Sequence, residues 1–162
     1  MMSNTDPKRE MLRHTVATLA YRGAKAVRGA PESFASFKSS ETTRTPAQIL
    51  AHIGDLLDWA VQLANGKHAF HESTPLPWDQ EVARFFRALE TLDQRLAAVG
   101  PLGFSSEKIF QGPIADALTH IGQIAMLRRM FGKPVRGENY FMAEIAAGRV
   151  GTQQAAPRKE FD

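Results

Sequence analysis

The sequence predicts an all-α protein, a four-helix bundle with a short C-terminal helix and tail. Three observations carry that reading. Four stretches repeat apolar residues at three- and four-residue spacing, Gly-, Pro- and Ser-rich segments punctuate them, and no stretch alternates polar with apolar residues as a strand would. At 162 residues, 43% of them apolar, the chain is sized for a single domain over 1–162. Its bundle core is expected over about 8–132, with an extension over 133–162.

The first helix begins after Asp6-Pro7, a capping residue followed by proline at the first helical position, and carries Leu12, Val16, Leu19, Gly23 and Ala26 on one stripe. It ends near Gly29-Ala30-Pro31. Glu32 to Thr43, rich in Ser and Thr, reads as a loop or a short helical turn. The second helix opens on Thr45-Pro46 with Gln48 three residues after the threonine, a capping box, and buries Ile49, Ile53, Leu56, Ala60 and Ala64 before stopping at Asn65-Gly66. The third runs from about Trp78 to Val99, with Val82, Phe85, Phe86, Leu89, Leu92 and Leu96 facing inward. The fourth is expected from Gly112-Pro113 through Met130 to Gly132. ENYFMAEIAA suggests a short fifth helix, and GTQQAAPRKEFD has the composition of a tail.

Composition narrows the function. The 20 basic and 17 acidic residues leave a net charge of +3, too little excess to imply nucleic acid. The absence of cysteine excludes disulfides, thiolate metal sites and a cysteine nucleophile. No apolar run approaches membrane-span length, and the opening MMSNTDPKRE is unlike a secretory leader, so a cytoplasmic protein is expected. Phosphate loops, nucleophile elbows and HExxH are all missing.

The informative residues are polar groups on apolar helix faces. At 100° per residue, His52 lies about 60° from the middle of the second helix's stripe, and His120 falls between Leu127 and Phe131 on the fourth. Asp116 stands one turn before His120 at the edge of that arc, with Gln123 beside it. One histidine on such a flank is ordinarily a neutral ring bonded to a carbonyl or water. Two on different helices, one with an acid four residues earlier, also fit an ion held between facing helices, with zinc, nickel or ferrous iron suiting the donors. Trp59, two turns beyond His52, reads as core before pocket wall. His14, His68 and His71 stay outside the ligand set. Arg128 points into the arc, where a guanidinium needs a carboxylate such as Asp55, Asp58 or Glu138.

At these residues the chain resembles the DinB/YfiT-like superfamily of metal-binding four-helix bundles. The matching stretches are LAHIGDLLDWA, with a histidine early in the second helix, and DALTHIGQIAMLRR, which follows an HxxxHxGQ pattern except that Asp116 replaces its first histidine. The resemblance covers about residues 8–132. It implies an up-up-down-down course with a long first crossover, frequent homodimerisation, and a divalent metal held by His52, His120 and the residue at 116. It also implies metal-dependent chemistry on a small-molecule substrate, of transferase, isomerase or hydrolase type, in some members with a low-molecular-weight thiol. Asp116 is then a ligand, an orienter of water or the mark of a lost site, and Gln123 a hydrogen-bond donor beside the ligands or a rim residue. The competing expectation is a noncatalytic dimeric interaction module with a degenerate site.

Overall fold

The computed structural model describes residues 6–162; Met1–Thr5, part of the opening stretch expected not to be a leader, lies outside the described residues. Four long helices dominate: α1 (Pro7–Val27), α2 (Pro46–Ala64), α3 (Trp78–Ala97) and, after the single turn α4 (Ser106–Ile109), α5 (Ala115–Met130). Among the described residues no helix is long and apolar enough to cross a membrane.

The capping signals work as their chemistry requires. Asp6 accepts from the Lys8 amide, and Thr45 and Gln48 form the reciprocal box at the start of α2. The expected stripes of α1 and α2 are buried at every position. Gly23 is needed for close packing, because a Cβ there would sit 2.4 Å from the Phe85 ring.

α1 and α2 each pack against both α3 and α5, which puts α1 and α2 on a diagonal. Contacts along the helices give their directions. Arg9, near the start of α1, donates to the carbonyls of Leu96 and Gly100 at the end of α3, so these two are antiparallel. Arg84 reaches Ala51 and Asp55 while Arg95 reaches Ala64 and Asn65, so α3 runs parallel to α2. His52 meets His120 while Trp59 lies over Gly112, so α5 opposes α2. Ile121 lies at Gly23 and Arg128 at Ala26, so α5 runs with α1.

The course is therefore up-down-down-up, which corrects the up-up-down-down expectation. The first connection does not cross the bundle. Its 3-10 turn, Glu32–Ser36, plugs one end by packing Phe34 against Trp78 and Phe131. The crossover is the stretch 65–77, which returns along α2 to place Phe70 at His52 and Ser73 on Asp55. Its extended reach of roughly 40 Å exceeds the roughly 28 Å length of α2.

Two further expectations are corrected. The helical path into α5 begins at Ser106 rather than at Gly112-Pro113. Pro113 sits inside a widened π turn, Phe110–Ile114, which accommodates the missing amide and the bulk of the ring without ending the helix. The C-terminal segment forms only a 3-10 turn at Tyr140–Met142, and the tail is clasped to the bundle. Gly137–Glu138 pairs antiparallel with Glu160–Phe161, and the buried Glu138 carboxylate accepts from the Tyr21 hydroxyl and Lys25. A buried acid with two donors holds a segment whose composition alone gives no reason to pack.

Candidate metal centre

His52 projects from the second turn of α2, a helix fixed by its capping box, towards α5. The widened turn at Phe110–Ile114 lies just before Asp116 and sets the facing of the helix beyond it, as such turns often do beside functional groups. α5 then presents Asp116 and His120 one turn apart on a single face. The sequence-predicted residues thus come together: one ligand atom from each of His52, Asp116 and His120 lies within 4.8 Å of the others.

The detailed geometry suits an ion. Asp116 turns Oδ2 towards His52 Nε2 at 3.7 Å and Oδ1 towards His120 Nε2 at 3.4 Å. Donors about 2.1 Å from a tetrahedral ion stand roughly 3.4 Å apart, so both separations approach ligand spacing. The two rings meet edge to face, 4.8 Å between centroids. Both imidazoles are largely buried, whereas the Asp116 side chain remains 48% exposed.

Gln123 fixes which nitrogen is free. His120 Nδ1 faces Gln123 Oε1 at 2.7 Å. That oxygen only accepts, so Nδ1 carries the hydrogen, and in the neutral ring the lone pair falls on Nε2, which faces the other two ligand atoms. Gln123 therefore touches His120 as an acceptor, not as the donor expected from the sequence. Burial holds His52 below the ordinary histidine value, and His120 and the Arg44 cation push the same way against the attraction of Asp116. The neutral ring is the ligating form.

The group borders an open cleft of about 780 Å³ whose walls include Arg44, Ile49, Thr119, Met126 and Met130. Phe70, from the crossover, packs edge-on against His52. Arg44, Met126, Met130 and Phe70 went unrecognised in the sequence. The one available signal was the arginine directly before the Thr45 cap.

The other candidates fall into place around this centre. His14 is exposed on α1, and His71 bonds Ser73 instead of the centre. Trp59 is half-buried, stacked on His68 and walling a second cavity with Phe70, so both parts of its expectation apply. Arg128 is buried with no carboxylate partner among the described residues, contrary to expectation. It donates to the carbonyls of Ala26, Arg28 and Lys133, whose partial negative charge at helix ends replaces an acid, and burial lowers its pKa. Asp55 and Asp58 are instead taken by Arg84. No family model, curated protein or solved structure matches the chain.

Proposed function

We propose that the protein binds a divalent metal at His52, Asp116 and His120 and carries out metal-assisted chemistry on a small molecule in the adjoining cleft. The observation that carries this reading is the convergence of three ligand atoms from two helices within 4.8 Å, with the His120 tautomer set by Gln123. Zinc, nickel and ferrous iron all accept two imidazoles and one carboxylate, a set that leaves positions open for water or substrate. A bound ion would supply a Lewis acid and lower the pKa of a water or thiol held beside it. The chain's own part is to hold His52 neutral, to keep His120 Nε2 free and to offer Asp116 as ligand or proton acceptor. The chain has no cysteine, so in thiol chemistry the sulfur would arrive as a cosubstrate. The resemblance to DinB/YfiT-like proteins rests on these site residues rather than on the order of the helices.

Metal analysis of protein purified without added ions tests the reading, alongside His52→Ala and His120→Ala. Near-stoichiometric metal in the parent and its loss from both variants is expected; metal retained in either variant contradicts the assignment. An interaction module is the second reading, favoured by an apolar groove between α1 and α4 that exposes Met11 and Phe110 and would suit a homodimer. Light scattering that gives the monomer mass at all concentrations would remove it.

A further inference from the structure

The cleft beside the histidines has a composition that selects its occupant, and the choice of occupant deepens the metal reading, on which it rests. On one side its wall is aliphatic. Ile49 and Leu127 are buried beneath Met126 and Met130, which are 60% and 56% exposed. Unbranched thioether side chains standing in solvent at the edge of a cavity make an adaptable surface for an apolar body. On the other side stands Arg44, and among the described residues that line the cleft none is acidic; Asp116 lies beside its floor at His52 and His120, within the proposed ligand set.

Arg44 is positioned and unspent. The residue before it, Thr43, is held in a turn by Ser40, to whose carbonyl its hydroxyl donates, and the residue after it, Thr45, is locked in the capping box. Its backbone is therefore fixed from both directions, and its guanidinium, although it also borders a small cavity with Asp55 and Glu72, makes no ion pair within 4.0 Å among the described residues. The first turn of α2 holds no acid, so the positive end of that helix adds to the same field. A divalent ion with two neutral imidazoles and one carboxylate would leave a further net positive charge at the cleft floor. The volume, about 780 Å³, is that of a small-molecule site.

We propose that this cleft takes a small monocarboxylate with an apolar body. The carboxylate pairs with Arg44, the body lies on Met126, Leu127 and Met130, and the far end reaches His52 and His120. One cation matches one negative charge, and the planar guanidinium fork fits a carboxylate in two-point contact.

Calorimetric titration with three probes tests this: hexanoate, its neutral analogue hexanamide, and acetate, which lacks the apolar body. Each is run on zinc-loaded and on chelator-treated protein, for the parent, Arg44→Gln and Arg44→Lys, with metal content measured in parallel. Hexanoate should bind about tenfold more tightly than either other probe, as a charge-assisted contact to an arginine predicts. Arg44→Gln should remove the preference for hexanoate over hexanamide without changing metal content, and Arg44→Lys should keep part of it. Equal binding of hexanoate and hexanamide by the parent, or a preference that survives Arg44→Gln, overturns the proposal. Failure to take up zinc would contradict the metal reading alone, because the Arg44 dependence is still decided on the chelator-treated chain.

Discussion

Helix α2 carries two polar clusters less than a turn apart, and they are built in opposite ways. Asp55 is 2% exposed and fully engaged. It accepts from the Ser73 amide and hydroxyl and from Arg84, which also bonds Asp58 and Glu81. His52, three residues earlier, has a largely buried ring beside Asp116 and His120, close to ligand spacing but with no hydrogen bond joining the three. A satisfied buried network ties the crossover to the bundle and leaves nothing to offer a ligand. The other cluster leaves its ligand atoms facing one another without a hydrogen bond between them, an arrangement that a cation would satisfy. The satisfaction of the polar groups, more than their burial, separates the structural cluster from the candidate ligand cluster in this helix.

Several substitutions would break or sharpen that contrast. The largest stability change is expected at the closed cluster. Asp55→Ala strands the Arg84 guanidinium and the Ser73 donors and should cost about 3 kcal/mol in chemical denaturation. His120→Ala should cost less than about 1 kcal/mol in metal-free protein, because the ring's one hydrogen-bond partner, Gln123, is exposed and can turn to water when the ring is removed. In metal-loaded protein, chelator should lower the melting temperature of the parent and leave that of His120→Ala unchanged. If His120→Ala costs as much as Asp55→Ala without metal, the distinction between the clusters fails.

Gln123→Leu should weaken metal binding by about tenfold while leaving its stoichiometry intact, since the tautomer of His120 is no longer held. A competition titration against a chromophoric chelator reads this directly, and unchanged affinity would reduce Gln123 to a rim residue.

The smallest effect is in pH, where the clusters should act in different windows. Burial alone would raise the Asp55 carboxyl, but the hydrogen bonds from Ser73 and Arg84 outweigh it and the folded value lies below the ordinary 3.8. The unfolded chain then binds the proton more readily, so this contribution is complete above the unfolded value and is lost as pH falls through the folded one. His52 is also depressed, so the unfolded chain again holds more protons, here just below the ordinary histidine value of 6.5. Metal-free stability should therefore be full above that value and decline as pH falls towards the folded one. His52→Asn should flatten the upper step and Asp55→Asn the lower; a profile in which neither step moves contradicts both assignments.

Much of the helical framework was legible because local signals act alone. The Asp6-Pro7 and Thr45-Pro46 starts and the apolar stripes need no partner to be read. The convergence of His52, Asp116 and His120 was legible too, because a histidine on an apolar face is conspicuous wherever the helix goes, whereas Arg44, Met126, Met130 and Phe70 gave no such signal. Direction was not legible: nothing in the stretch 65–77 announces that Ser73 will return to Asp55. Nor does Pro113 announce a widened turn in place of a helix start, since only the packing of Ile109 and Ile114 in the core makes continuation the better outcome. The tail failed for the same reason. Its anchor, Glu138, finds Tyr21 and Lys25 over a hundred residues away. Arg128 shows a different limit: its burial was foreseeable, but a partner made of carbonyls is invisible to a search for acids.

The most direct test is anomalous scattering, at the edges of zinc, nickel and iron, from crystals of protein prepared without added metal. A single peak bonded to His52 Nε2, His120 Nε2 and an Asp116 oxygen is the predicted result. A peak absent at all three edges, with the imidazoles bridged by water or turned apart, would contradict it.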